Sequence, residues 1–444
     1  MISMSPEIVT IVMVVGLLVG IASGYPLGLV LGGVAMVVGI VAWGPVIFEM
    51  FYVRLFGVIT EYTFLAVPLF IFMGIMVERS GVSDKLYEAL HLWLGGLRGG
   101  LAIASVLFGT ILAACVGVIA ASVTMLGLIA LPAMLNRGYS KEIASGSCCA
   151  GGTLGILIPP SIMLVLYGPM AGISVGKLFM AAFIPGFALS ALYCTYIGVR
   201  CFFKPQEGPV MAAEERAVPW GRKIFLLVTS MVPPVLLVLA VLGSIFFGIA
   251  APTEAAAVGA LAAIVMAAGY RGLNRQSLKE TTYRTMRTFS MVFVIVIGAS
   301  LFTGIFLGLG CGDVVASFVL AAPFGRWGAF AVIMLVIFIL GMFIDWIGII
   351  MIMIPIVSPI ASALGFEPLW FAMMIIINLQ MSFLSPPFAY AIFFLKGVTR
   401  PEMEIETGHI IRGVIPYIGL IMVGLALCIK FPQIILWLPA RMIK

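Results

Sequence analysis

Asp345 stands inside a long apolar run, in the segment Gly341-Met342-Phe343-Ile344-Asp345, and a carboxylate at membrane depth is a candidate functional group by default. Two roles are open to it: ligand to a cation or substrate-facing group on one side, buried hydrogen-bonding group on the other. Hydroxyl and amide side chains cluster around two further points of the chain. Ser122, Thr124, Ser147, Thr153 and Ser161 surround Pro159-Pro160, and Ser358, Asn378, Gln380, Ser382 and Ser385 surround Pro386-Pro387. Any one such hydroxyl commonly bonds a carbonyl one turn back, so the signal is the clustering. Proline lacks a backbone N–H and clashes with the carbonyl four residues before it, so two in a row stop a helix and leave backbone groups unpaired. In hydrocarbon those groups need protein, water or an ion. Exposed carbonyls suit a hard monovalent cation such as Na+, and free helix N-termini suit an anion. Ordinary proline kinks are the competing reading; matched spacing in two apolar segments favours helices deliberately broken at a transport site. Glu254, in Pro252-Thr253-Glu254, reads instead as a helix-opening carboxylate held by first-turn N–H groups.

Other chemistries are poorly represented. Gly172-Ile173-Ser174-Val175-Gly176 matches the GxSxG nucleophile pattern, but no strand precedes it and neither histidine lies in a triad context. No GxxxxGK[ST] loop is present, so ATP is not expected as the energy source within this chain. The two histidines, His91 and His409, lie in charged amphipathic stretches, and the seven cysteines lie in or beside apolar segments without CxxC spacing. No metal site beyond a coupling ion, no disulfide framework, no cofactor and no catalytic residue is expected. Of 444 residues, 63% are hydrophobic and 9% charged, against roughly 25% charged in soluble domains. The chain therefore reads as an all-α polytopic membrane protein. Its net charge of +6 speaks to membrane orientation, not to nucleic acid. Met1 to Pro6 carries neither a basic n-region nor a cleavage site, so no signal peptide is expected.

A span needs about 20 apolar residues. In the first half, residues 8–22 and 27–48 read as a helix pair and 62–77 as a span. Residues 80–97 then read as an amphipathic arm, 101–135 as a re-entrant hairpin with its tip at 113–117, 143–170 as a broken helix and 178–203 as a span. Residues 204–223, with Glu214, Glu215 and Arg216, form the polar linker. The pattern then restarts: 224–248 and 252–270 as a pair, 271–287 as a basic loop, 288–309 as a span and 310–327 as an arm. Residues 328–364 follow as a hairpin broken at 341–345, 369–395 as a broken helix and 413–429 as a span. The chain thus divides into a repeat at 1–203, a linker at 204–223 and a repeat at 224–444. Pro160 and Pro387 lie 227 residues apart, as do Gly16 and Gly243. With the N-terminus outside and five spans per half, the second repeat is inverted. This arrangement places 18 of the 24 Lys and Arg residues in the cytoplasm, as the positive-inside rule requires. The substrate-facing polar groups would be Thr153, Ser161, Asp345, Gln380 and Ser382.

At these residues the chain resembles the large membrane subunit of tripartite ATP-independent periplasmic (TRAP) transporters, dicarboxylate type. The resemblance runs nearly end to end. It is carried by LAVPLFIFMG (65–74), LGLIALPAMLNRGYSKEIASG (126–146), GTLGILIPPSIMLVLYG (152–168), APTEAAAVGA (251–260), LGMFID (340–345), INLQMSFLSPPFAYAIFFLKGV (377–398) and RGVIPYIGL (412–420). It implies the ion-transporter-superfamily elevator fold, multi-pass in the bacterial inner membrane. The implied activity is Na+-coupled import of an organic anion, often a carboxylate. A periplasmic binding protein would deliver it, and a separate four-helix membrane subunit would buttress the scaffold. Carried over, one Na+ site would use carbonyls near Gly117, Gly152, Gly155 and Ile158, with Ser122 adding a hydroxyl, and the other Asp345, Asn378 and Ser385. The family's first hairpin often carries two serines and an aspartate where this chain reads VGVIAAS (116–122), which leaves ligation there mainly to carbonyls. Proton coupling or an ion channel is the alternative reading, and an intramembrane enzyme a more distant one.

Overall fold

The computed structural model describes residues 5–212 and 218–442. Met1 to Met4 of the leading segment, Glu214, Glu215 and Arg216 of the linker, and Lys444 of the charge count lie outside the described residues. Every regular element among the described residues is helical. Among the described residues, eight helices or helix pairs are long and apolar enough to cross a membrane, and seven shorter apolar helices accompany them.

The first half contains α1 (Pro6–Ala22), α2 (Leu27–Trp43), α3 (Ile47–Thr60), α4 (Ala66–Arg79), α5 (Val82–Leu94), α6 (Gly100–Val116), α7 (Ile119–Leu135), α8 (Lys141–Thr153), α9 (Ile162–Ala171) and α10 (Val175–Phe203). The second contains α11 (Trp220–Phe246), α12 (Pro252–Gly269), α13 (Arg275–Gly308), α14 (Cys311–Leu320), α15 (Gly325–Gly341), α16 (Trp346–Ala363), α17 (Pro368–Leu384), α18 (Tyr390–Val398), α19 (Thr407–Lys430) and the short α20 (Gln433–Leu436). The helices that open at Ile119 and Lys141 have counterparts opening at Trp346 and Pro368, 227 residues later in each case. Packing is exchanged between the halves: α2 lies on α13 while α12 lies on α4, and α7 lies on α18 while α16 lies on α9.

Three segments differ from expectation. The stretch 271–287 is a loop only as far as Asn274; from Arg275 it is the first third of the 34-residue α13. A reciprocal cap starts this helix, with Asn274 Oδ1 accepting the Ser277 N–H at 2.7 Å and Ser277 Oγ accepting the Asn274 N–H at 2.9 Å. Its inward face is Ser277, Thr281 and Thr285, all buried and four residues apart, so helical periodicity is present without hydrophobicity to reveal it. The second span, expected to continue to Phe48, ends at Trp43. Gly44-Pro45-Val46 turns the chain, and α3 fills Ile47 to Thr60, most of which the apolar pattern assigns to no element. The second arm is also shorter than expected, with its own helix at Cys311–Leu320 and α15 already begun at Gly325. Glu254 behaves as expected, accepting the Ala251 N–H at 2.8 Å at the start of α12.

Glycine sets how closely the long helices approach. A Cβ on Gly28 of α2 would sit 2.6 Å from the Val294 carbonyl oxygen of α13, and one on Gly298 would run into the Gly28 carbonyl. Gly146 of α8 meets Gly413 of α19 in the same backbone-to-backbone manner. Without hydrophobic drive between helices in lipid, such close contact is a main source of association.

The basic loops gather at one end of the molecule. Gly99 donates to the Gly208 carbonyl at 2.9 Å, Ser140 to Glu207 at 3.0 Å and Met211 to Gly95 at 2.9 Å, while Arg79 pairs with Glu280. Arg200 anchors this layer through Glu207, Nε to Oε2 at 2.5 Å. Burial raises the Glu207 carboxyl, but the Arg200 guanidinium outweighs it and holds the group below the usual carboxylate range. A lowered folded value means that the pair's stabilisation is complete above the ordinary glutamate value of about 4.3 and is lost as pH falls through the lower folded value. Glu207→Gln is expected to remove about 1–2 kcal/mol locally. The check is hydrogen exchange at the Ser140 and Gly99 amides: faster exchange in the variant at neutral pH is predicted, and unchanged exchange contradicts it.

Candidate functional site

The two helix interruptions and the two hairpin tips come together. Gly117, at φ +64°, ends α6 and turns the first tip; a Cβ there would lie 3.2 Å from the Pro160 carbonyl oxygen. Only a residue without a side chain takes this backbone shape readily at this distance. Gly152 lies against the Val123 backbone, and a Cβ on Gly155 would sit 3.2 Å from Ser122 Oγ. Ser122 donates to the Val118 carbonyl at 3.2 Å, and Ser161 donates across the first break to the Ile156 carbonyl at 2.5 Å. The sequence-nominated groups Gly117, Ser122, Gly152 and Gly155 are thus buried together around the first tip, while Ile158, also buried, packs against Gly186 of α10. The Pro159-Pro160 and Pro386-Pro387 bonds are both cis.

The second tip has the same plan with different polar groups. Phe388 donates its N–H to the Met342 carbonyl at 3.2 Å, linking the second break to the second hairpin. Along α17, Ser382 donates to the Phe338 carbonyl at 3.2 Å and Asn378 Nδ2 to the Met334 carbonyl at 2.8 Å. Asn378 therefore lies about two helical turns from Ser385, which ends α17 and donates to Met381 at 2.9 Å. Asp345 occupies the N-cap position of α16, partly exposed.

A cavity of about 690 Å³ opens between these tips and the helices α2 and α13. Val118, Ile119 and Ala120 line it from the first tip and Asp345, Trp346 and Ile347 from the second, with Leu27 and Met291 among the residues opposite. Helices begin in its wall at Ile119, Ile162, Trp346 and Tyr390, and α2 begins opposite them at Leu27. No side chain caps the first turn at Ile119, Ile162 or Tyr390, whereas the Asp345 carboxylate stands at the first-turn N–H groups of α16. Uncapped first-turn N–H groups at three of these starts, with the positive ends of their helix dipoles, make a wall suited to an anion without any basic side chain. Carbonyls end α6 and α15 at the same tips, which suits a cation beside the anion.

Of the groups nominated to face substrate, Asp345 lines the cavity. Thr153, Ser161, Gln380 and Ser382 are fully buried behind it, and both amide atoms of Gln380 lack a hydrogen-bond partner among the described residues. Sequence reasoning misses the uncapped starts at Ile119 and Tyr390. The signal available is the absence of Ser, Thr, Asp or Asn at Val118 and Ala389, where a helix start normally carries one.

Comparison with known proteins assigns this architecture to a family. Residues 14–434 match the family described as "Tripartite ATP-independent periplasmic transporter, DctM component". The chain is 32% identical to the C4-dicarboxylate TRAP transporter large permease protein of Pseudomonas aeruginosa, covering 87% of this chain and 88% of that protein. It is 29% identical to the sialic acid TRAP transporter large permease protein of Vibrio cholerae, covering 87% and 88%. The YdaH transporter of Alcanivorax borkumensis shares the fold, with TM-score 0.61 and 16% sequence identity over 87% of this chain and 90% of that one. The two relatives from Pseudomonas aeruginosa and Vibrio cholerae are transporter permease subunits, not enzymes. The chain is a multi-pass inner-membrane protein and belongs to the DctM-component family of tripartite ATP-independent periplasmic transporters.

Proposed function

We propose that the chain imports a carboxylate-bearing organic anion across the bacterial inner membrane, coupled to Na+, by an elevator movement. The observation that carries this reading is the cavity whose wall holds three uncapped helix N-termini beside the Asp345 carboxylate. Donors of that kind bind a carboxylate, and Na+ held by tip carbonyls and Asp345 offsets the anion's charge. The relatives named for a C4-dicarboxylate and for sialic acid both act on carboxylates, which supports the class and leaves the particular acid to experiment. One Na+ site is assigned to Gly117, Ser122, Gly152, Gly155 and Ile158, and another to Asp345 and Ser385, with Asn378, about two turns from Ser385, bracing α17 on α15 through the Met334 carbonyl.

The moving part is the set α6 to α9 with α15 to α18, and the scaffold is the pairs α1–α2 and α11–α12 with α4 and α13. Exchanged packing and the 227-residue spacing support an inverted repeat of 1–203 and 224–444 joined by a cytoplasmic linker at 204–223. The gathering of basic loops at one end supports placing that end in the cytoplasm. Family membership supports two partners, a small membrane subunit against the scaffold and a periplasmic binding protein that delivers substrate. Asp345 in the cavity wall also supports a second reading, proton coupling.

Liposomes carrying this chain and its small subunit, supplied with candidate carboxylates on the binding protein, test the proposal. Uptake that requires both the binding protein and an inward Na+ gradient is expected. Uptake driven equally by a proton gradient without Na+ contradicts the Na+ sites. Downhill flux without counterflow contradicts the carrier mechanism.

A further inference from the structure

A second polar cavity lies apart from the transport site, at the end of the molecule that gathers the basic loops. It measures about 510 Å³ and is walled by Lys141, Lys396, Arg400, Glu404, Glu406 and His409. Its walls come from the two different broken helices: Lys141 opens α8 and Lys396 sits in the last turn of α18. Between them the segment 399–406 is pinned by both lysines. Lys141 Nζ donates to the Glu404 carbonyl at 2.8 Å and approaches its carboxylate at 3.4 Å, and Lys396 Nζ donates to the Ile405 carbonyl at 2.5 Å. Glu404 is held at φ +48°, a region that non-glycine residues rarely occupy and that persists where surrounding contacts over-determine it.

The charge in this cavity is incompletely matched. Lys141 takes up the Glu404 carboxylate, Lys396 meets only a carbonyl, and the Arg400 guanidinium makes no ion pair or hydrogen bond among the described residues. Glu406 gives its backbone N–H to His409 Nδ1 at 3.1 Å, so the neutral imidazole carries its proton on Nε2 and keeps a donor for the cavity. Three cationic side chains and an imidazole N–H therefore face two carboxylates, in a space large enough for a tetrahedral oxyanion.

We propose that this cavity binds a phosphate group, with Arg400 and Lys396 as its principal ligands and His409 as a further donor, and that its occupation ties together the ends of the two broken helices. A planar guanidinium paired with an ammonium is the arrangement that holds phosphate oxygens. A free phosphate and the headgroup of an anionic lipid present the same chemistry, and basic pockets on the cytoplasmic side of membrane proteins take such headgroups. The site is independent of Na+ coupling and of the identity of the transported anion.

The test uses the purified full chain and reads thermal unfolding in two arms, with ionic strength matched by chloride. In uncharged detergent, inorganic phosphate is expected to raise Tm saturably, and Arg400→Gln to weaken that response about tenfold or more. The Arg400 guanidinium holds nothing else in place, so the variant is expected to match wild-type Tm without phosphate; Arg275→Gln, on an exposed face of α13, serves as the control. In nanodiscs, phosphatidylglycerol replacing phosphatidylcholine is expected to give the same Arg400-dependent stabilisation if a lipid is the source. Phosphate that stabilises in detergent while phosphatidylglycerol does nothing identifies a soluble ligand. Equal shifts in wild type and Arg400→Gln in both arms, or no shift in either, overturn the proposal.

Discussion

Asp345→Asn is expected to raise the Na+ concentration needed for half-maximal carboxylate uptake about a hundredfold, with the folded protein recovered in wild-type yield. The carboxylate caps α16 in the wall of the cavity and brings charge to a tip otherwise built of apolar side chains and backbone. Removing one member of a close charge pair while keeping its shape costs about 3 kcal/mol, or roughly two decades in affinity. Asparagine is nearly isosteric and keeps an oxygen at the cap, so the loss falls on ion binding and not on the fold. Uptake by reconstituted protein as a function of Na+ concentration measures it. An unchanged Na+ dependence removes Asp345 from the coupling site, and loss of a pH dependence in its place identifies the residue as a proton carrier.

Gly146→Val is expected to abolish the close packing of α8 on α19. A Cβ at Gly146 collides with the backbone of Gly413, and one at Gly413 collides with the Glu142 carbonyl, so neither helix has a flexible side chain that can give way. Forcing extra volume into a well-packed site costs about 1–3 kcal/mol where side chains adjust, and a backbone contact places this substitution at or beyond the upper end. Gly138→Val is the matching control, since a Cβ there meets nothing within 4 Å but the residue has φ +78°; its cost is backbone strain alone. Monodisperse yield after solubilisation and Tm compare the two. Wild-type yield and Tm for Gly146→Val would show that α8 and α19 do not depend on this approach.

The architecture is legible in sequence wherever hydrophobicity carries it. Apolar runs of sufficient length mark the spans, and a proline pair lies in each break, but Pro233-Pro234 sits inside the unbroken α11, so a pair alone does not stop a spanning helix. Legibility fails where burial is polar. The start of α13 packs Ser277, Thr281 and Thr285 inward, and beside Arg275, Lys279 and Arg284 such a stretch reads as a solvated loop. It fails again at Gly44-Pro45-Val46, where a turn sits inside uninterrupted hydrophobicity.

The site is legible in composition and less so in direction. Gly117, Gly155 and Ser122 are adjacent, as small residues at two breaks suggest, and Asp345 lines the cavity. Spacing alone does not say which side of α17 faces the cavity, and Gln380 and Ser382 lie buried behind it. Helix starts without caps are the least visible feature in sequence, because their signature is the absence of a side chain.

Labelling of a single cysteine at position 120 tests most directly whether the anion passes through this cavity. Ala120 lies in its wall beside two uncapped helix starts, so Ala120→Cys, in a chain whose seven native cysteines are replaced, reports occupancy there. The measurement is the rate of modification by a membrane-impermeant thiol reagent with and without Na+ and a transported carboxylate. The proposed mechanism predicts that the two together slow modification strongly while neither alone does. An unchanged rate in a variant that still transports would contradict it.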